Sequence, residues 1–337
     1  MQYRTVGTSA LKVSEIALGT GDNAGAMVYG SAKEQLALVA AALEAGVNLF
    51  DTSPDYGKGL GEANLGRTLK ELGARDALIV TKVEIMPEDL GRIGARVLES
   101  VNDSLLRLQR DHVDVVMLHN PVREARDLSV RQWSRLTPAD VLDEVLPALL
   151  SVRAAGKVRY LGLACEAADP SSVRKVLAAR EFAMINAWYN LANPSASTTV
   201  TGLPAGENYT GLFATAREFG AGVIVIRPLA GGALTGTIQA KSHAGRHHLS
   251  RGYYRDQPHM FEPELARARH FAFLERPPQH ALADAALKFI LGEPAVCSIA
   301  GGFSEVSHLA AAVRCSDAPA LDPADLERIR AVFRRGF

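Results

Sequence analysis

The chain carries no excess charge of either sign, few cysteines and no long apolar run, and each shortage removes a class of function. Its 37 lysines and arginines are matched by 37 aspartates and glutamates, so no net field draws it to nucleic acid or to an anionic membrane. The three cysteines, Cys165, Cys297 and Cys315, are odd in number, far apart and without metal-ligand spacing. That excludes a disulfide framework and a cysteine-held zinc, and points to a reduced compartment. No apolar run approaches the length of a membrane span, and Met1–Gly7 lacks the apolar core of a signal peptide. The expectation is a soluble cytoplasmic protein. Nor is there a low-complexity linker or a shift in composition, so residues 1–337 read as one domain.

What is present is a large apolar content, 47% of residues, in a repeating order of strand, turn and amphipathic helix. Apolar runs at 16–19, 47–50, 77–81, 113–118, 159–163, 182–185, 222–226 and 296–299 predict eight strands. Helical spacing follows each, at 33–45, 62–72, 89–108, about 140–155, 170–179, 209–219, 279–291 and 304–314. Gly46 suits the left-handed position that ends the first of these helices. The strands are continuous rather than alternating, as parallel strands covered on both faces are. Eight such units predict a closed (β/α)8 TIM barrel, since open doubly wound sheets usually have five or six strands. Residues 1–14 predict a hairpin across the barrel floor, turning at Gly7-Thr8-Ser9, and about 323–333 a C-terminal helix. Two connections, 119–139 and 233–262, lack periodicity of their own. The second holds His243, His247, His248, His259, Tyr253 and Tyr254. Long loops of this kind shape the substrate pocket of a barrel or simply cover its surface.

Four polar residues end or follow the early strands. Asp51 closes Val47–Phe50, Tyr56 comes five residues later, Lys82 follows Ala77–Thr81, and His119 follows Val113–Leu118. In a parallel barrel all four side chains converge at the carboxyl rim, where such barrels hold their active sites. Singly each has an ordinary explanation: a helix cap, a packed ring, a solvated lysine, a structural histidine. At consecutive strand ends they form a proton-transfer group. A phenol titrates near ~10, so Tyr56 needs a neighbouring cation to act as donor or acceptor. Lys82 provides that cation, Asp51 holds Lys82, and His119 donates a hydrogen bond to a carbonyl oxygen.

The sequence resembles the aldo-keto reductase family over nearly its whole length. The resemblance rests on Tyr3-Arg4, Leu11–Ser14, Phe50-Asp51-Thr52-Ser53-Pro54-Asp55-Tyr56-Gly57, Glu62–Gly66, Thr81-Lys82, Met117-Leu118-His119 and Gly156–Gly162. It implies an α/β barrel that binds a nicotinamide cofactor without a Rossmann domain, and no G-x-G-x-x-G run follows the first strand. It also implies cofactor contacts at Gly19, Thr20 and Asp51, at Ala164, Cys165 and Asn186, at Ile226, Arg227, Pro228, Leu229, Gly231 and Gly232, and at Gly302, Phe303, Ser304 and His308. Several depart from the family's pattern. Ala164-Cys165 replaces a Ser-Asn pair that holds the nicotinamide amide, Asn186 replaces a Gln, and Ile226 stands where an aromatic stacks. Phe303 replaces the Arg that meets a 2′-phosphate. Ser304 is expected to cap the last helix, and Arg227 or Arg246-His247-His248 to replace the missing cation. The string Gly21–Gly30 resembles a bacterial branch associated with sugar aldehydes.

The function implied is NAD(P)H-dependent reduction of a small polar carbonyl, or oxidation of the matching alcohol, with Tyr56 as general acid and base. NADP(H) is expected ahead of NAD(H). Substrate contacts are expected from Tyr56, His119, Asp55, Asn120, Arg123 and Trp133, with Arg123 suited to an acidic substrate. The partners are small molecules, and the chain is expected to be a monomer or weak homo-oligomer. A non-redox lyase or isomerase using the same four residues is the alternative, and a cofactor-sensing binding protein a third reading.

Overall fold

The computed structural model describes residues 1–129, 134–237, 258–276 and 281–337. A short antiparallel pair, β1 (Tyr3–Thr5) and β2 (Lys12–Ser14), precedes eight parallel strands. These are β3 (Ile16–Gly19), β4 (Leu49–Asp51), β5 (Leu78–Val83), β6 (Val113–Leu118), β7 (Val158–Ala164), β8 (Phe182–Trp188), β9 (Gly222–Ile226) and β10 (Val296–Gly302). They pair in sequence order, and β10 closes on β3 to complete the barrel. Every residue of β6 is buried, because helices cover the outer face while side chains fill the interior.

The interior is packed by Ala17, Leu49, Val80, Val115, Met117, Met184, Ile224 and Cys297, and the hairpin adds Val6, Leu11 and Val13. Gly7 has φ +51°, and a Cβ there would lie 2.1 Å from the Gly220 carbonyl and 2.6 Å from the Gly222 amide. The hairpin turn therefore presses on the start of β9 and seals the amino end, leaving the carboxyl rim for chemistry.

Some boundaries differ from the sequence expectation. Strand β5 runs on through Lys82 to Val83, which pairs with Leu118; a charged residue inside the strand had masked its last apolar one. Strand β4 begins at Leu49 because the Asn48 carboxamide is used on the hairpin, accepting from the Ser14 amide and donating to the Lys12 carbonyl. The segment 258–269 is a helix, which the aperiodic reading of 233–262 did not foresee. It buries Phe261, Leu265 and Ala268 against the helices 282–291 and 323–335. The helix 32–44 starts at a reciprocal cap, with the Ser31 hydroxyl accepting from the Glu34 amide and Glu34 accepting from the Ser31 amide. Gly46 is left-handed, at φ +84°.

Candidate active site

Asp51 ends β4, Lys82 lies one residue from the end of β5, and His119 follows β6, so register alone brings the three to one rim. All three are buried. Tyr56 reaches the same place from the loop after β4, half-buried.

Lys82 organises the group. Its ammonium lies 2.8 and 3.0 Å from the two Asp51 carboxylate oxygens, 2.8 Å from the Thr52 carbonyl and 3.2 Å from the Tyr56 hydroxyl. An ammonium only donates, so Tyr56 Oη accepts from Lys82 and its own proton points away from the ammonium. Burial alone would lower the Lys82 pKa, but Asp51 and then Tyr56 more than offset this and raise it. The Lys82 ammonium is thus a fixed positive charge with every donor engaged, the condition under which a buried ion pair is tolerated.

Burial pushes the Tyr56 phenol up to about 12; Lys82 pulls it down, and Asp51 and Glu166 push it up again. Tyr56 therefore holds its proton at neutral pH. His119 is lowered to about 3 by burial and by Lys82, so it is a neutral imidazole that can donate a hydrogen bond without carrying charge. Its ring meets Tyr56 edge-on, centroids 6.3 Å apart, and its Nδ1 is 3.5 Å from the Ser53 hydroxyl.

Residues around this group include several that sequence reasoning missed. Gly21 lies on the Tyr56 ring, where a Cβ would sit 3.7 Å from the ring carbons. The next residue, Asp22, accepts from the Tyr29 hydroxyl at 3.3 Å. Glu166, two residues beyond the end of β7, is felt electrostatically at Tyr56 and feels the charges of Arg227 and Lys82. Burial raises the carboxyl pKa values of Asp22, Asp55 and Glu166 alike; Lys82 partly offsets this at Asp55, and Arg227 and then Lys82 at Glu166. The only sequence signal for Glu166 was its place after a strand end.

Other expected contacts are placed differently. Asn120 is wholly buried, and its carboxamide accepts from the Ile85 amide and donates to the Ile85 and Ser134 carbonyls. It braces its loop and has no amide hydrogen left for a substrate hydroxyl. Arg123 donates to the Ala167 carbonyl at 2.7 Å and faces Asp169 at 3.9 Å, joining two rim loops rather than awaiting an acid. Arg227, in the left-handed region at φ +51°, donates to both Glu264 oxygens at 2.9 and 2.7 Å and stacks over the Trp188 ring at 4.3 Å. Its charge is committed to Glu264. Ser304 does not cap the helix 306–317 that follows the last strand; Glu305 stands at its N-cap position without a side-chain cap, and the Ser304 hydroxyl meets His308 Nδ1 at 3.1 Å. Trp133, Arg246, His247 and His248 lie outside the described residues, as do His243, Tyr253 and Tyr254.

Parts of the rim fit a nicotinamide cofactor. Gly19 pairs in register with Asp51 and Gly302, and Thr20 is tied to Asp51 and Thr52. Asn186 is buried beside the group and accepts from the Cys165 amide at 2.9 Å, which leaves its Nδ2 to donate to a carboxamide oxygen. The Cys165 thiol, raised by burial, lies 3.7 Å from the Leu163 carbonyl, and Ala164 has no polar atom. Beyond Ile226, Pro228 and Leu229 the chain turns through Gly231 and Gly232 at φ +61° and +107°, a conformation that leaves the backbone open to a close approach. The Phe303 ring folds onto Gly301, where a Cβ would lie 2.4 Å from it. One amide donor and a glycine turn fit the cofactor, while its adenosine end carries the Phe303 ring in place of a cation.

A parallel eight-stranded barrel with an Asp-Tyr-Lys-His group at its carboxyl rim defines a class, and sequence comparison agrees. Residues 15–334 match the Aldo/keto reductase family, and the chain belongs to it. Members of that family are oxidoreductases that use nicotinamide cofactors. The chain is similar to the aldo-keto reductase YhdN of Bacillus subtilis (33% identity over 48% of this chain and 46% of the relative). It is also similar to the L-galactose dehydrogenase of Arabidopsis thaliana (34% identity, 48% of each). Both matches span about half the length of the relative. An uncharacterized oxidoreductase of Bacillus subtilis, YqkF, is 25% identical over 98% of this chain and 96% of its own. The fold matches that of the aldo-keto reductase AKR11C1 from Bacillus halodurans in its holo form, with TM-score 0.71, 23% identity, and 98% and 96% of the two chains covered. No helix among the described residues is long and apolar enough to cross a membrane, and no described cluster of residues is suited to a metal ion.

Proposed function

We propose that this protein reduces a small, neutral, polyhydroxylated carbonyl compound of the sugar-aldehyde kind, or oxidises the matching alcohol, with Tyr56 as general acid and base. The observation that carries the reading is the Lys82 ammonium, whose donors engage Asp51, the Thr52 carbonyl and the Tyr56 oxygen together. A phenol so held keeps its proton for a partner other than Lys82. A nicotinamide bound at the rim would supply the hydride at carbon. This chain's residues handle the oxygen: His119 hydrogen-bonds it and orients the carbonyl, and Tyr56 delivers the proton. In the reverse direction Tyr56, as phenolate beside Lys82, takes the proton from the alcohol.

Two features support the substrate class. The acidic residues Asp22, Asp55 and Glu166 lie on rim loops next to Gly21, Tyr56 and Cys165, whereas the cations Lys82, Arg123 and Arg227 face Asp51, Asp169 and Glu264. A rim of that sign disfavours carboxylate or phosphate on the substrate and offers acceptors to hydroxyl groups. Similarity to an L-galactose dehydrogenase is consistent with a sugar. Among the described residues, the pairing of Arg227 with Glu264 and the position of Phe303 favour NAD(H) over NADP(H), because a 2′-phosphate without a cation is costly to desolvate. Steady-state kinetics with both cofactors, on neutral aldoses and on the corresponding uronic acids, tests these points. The expected result is NADH used at least as well as NADPH, and neutral substrates preferred about tenfold or more, which is ~1.4 kcal/mol. Preference for the acids would overturn the substrate class, and absence of binding by either cofactor would overturn the redox reading.

A further inference from the structure

The catalytic distance between Lys82 and Tyr56 spans two independent elements, a barrel strand and the loop after its neighbour. One buried carboxylate joins them. Glu62 sits in the first turn of the helix 60–71 and has no exposed surface. One of its oxygens accepts from the hydroxyl of Thr81, the residue before Lys82. Alternation along β5 turns Thr81 outward to the helices while Lys82 points inward. The other Glu62 oxygen accepts from Arg107 Nε, 2.7 Å away on the helix 93–108.

The same turn supports Tyr56. The Gly61 amide donates to the Tyr56 carbonyl at 3.0 Å, and a Cβ at Gly61 would lie 3.1 Å from the Tyr56 Cβ. Arg107 lies across Gly59, where φ is +92° and a Cβ would be 2.9 Å from its Cδ. An apolar side chain at 62 would pack helix against strand at less desolvation cost. It would not hold a strand hydroxyl and a guanidinium at hydrogen-bond length together.

We propose that Glu62 is a positioning residue, and that the Arg107–Glu62–Thr81 chain sets the Tyr56–Lys82 separation and thereby the proton affinity of the phenol. This rests on the reading of Tyr56 and Lys82 as the acid–base pair. Thr81→Val removes one hydroxyl with little change of shape, Thr81→Ser restores it, and Glu62→Gln removes the charge. All three are compared with Tyr56→Phe for kcat, KM, cofactor Kd by fluorescence, and the pH profile of alcohol oxidation.

The expected result for Thr81→Val is kcat lowered ~10-fold or more, as small misplacements of reacting groups produce. KM and cofactor Kd stay within about twofold, well inside one factor-of-ten step in free energy, and the apparent pKa of the alkaline limb rises. Thr81→Ser is expected to recover both kcat and the pKa. If Thr81→Val folds and keeps its kcat, or loses kcat without a shift of pKa, the proposal is overturned; should Glu62→Gln fail to fold, Thr81→Val decides alone. Retained turnover in Tyr56→Phe would overturn the acid–base reading itself, a result distinguishable from failure of the Glu62 chain, which leaves Tyr56→Phe inactive.

Discussion

Tyr56 and Lys82 divide one task, and their substitutions are expected to fail differently. Tyr56→Phe removes the proton donor but no group that holds the dinucleotide, so turnover is expected to vanish while cofactor affinity measured by fluorescence stays near wild type. Lys82→Met removes the cation that opposes burial at the phenol. With that phenol already pushed up to about 12, its loss is expected to raise the apparent pKa of alcohol oxidation further and to cut activity across the measurable range. A pH–rate profile settles this, and an active mutant with an unshifted profile would refute the pairing. The residues of this group were legible in the sequence because Asp51, Lys82 and His119 sit at strand ends and Tyr56 on the loop that follows one of them. Asn120, Arg123 and Arg227 were not, because whether a polar side chain faces a substrate or a neighbouring loop is decided by contacts remote in sequence, here Ile85, Ala167 and Glu264.

Among the elements, the helix 60–71 carries the most consequence, since it backs both the Tyr56 loop and β5. It crosses the helix 93–108 at Gly66, where an added Cβ would lie 2.5 Å from the Leu108 carbonyl carbon and oxygen. The obstacle is backbone, which cannot rotate away. Gly66→Ala is therefore expected to destabilise the protein by ~1–3 kcal/mol, read as a lower urea midpoint, and to reduce kcat more than cofactor affinity because the helix recoils from Tyr56. An unchanged midpoint would show that the two helices part freely. The element pattern was legible from apolar periodicity, including the left-handed Gly46. Boundaries slipped where a polar residue sits within an element, as Lys82 does in β5, or where a side chain replaces a backbone pairing, as Asn48 does.

For the whole molecule, the rim imposes a pH dependence on folding. His119 titrates near 6.5 when unfolded and near 3 in the folded protein, because burial and Lys82 oppose its charge. A depressed pKa means the unfolded chain binds the proton first. The contribution of His119 to stability is therefore fully present above about 6.5 and is lost progressively as pH falls toward about 3. The buried carboxyls Asp22, Asp55 and Glu166, raised chiefly by burial, act in the opposite sense, so the comparison must be differential. Denaturation of wild type and His119→Asn between pH 7 and pH 4, range endpoints of about the histidine and carboxylate titrations, is expected to show the wild type losing its advantage with acidity by up to one proton's slope. Parallel curves would mean that His119 charges as readily folded as unfolded.

By itself the sequence determined the barrel and the family, because eight continuous apolar runs followed by amphipathic helices have few closed solutions, and because Asp51, Lys82 and His119 stand at the ends that parallel strands bring together, with Tyr56 on the loop after the first of them. Tertiary structure alone decided which charges remain available. Local patterning records the face a residue occupies but not its partner across the rim. So the engagement of Arg227 with Glu264, the Phe303 ring on Gly301 and the Glu62 link between helix and strand came into view only once elements distant in sequence had packed against one another.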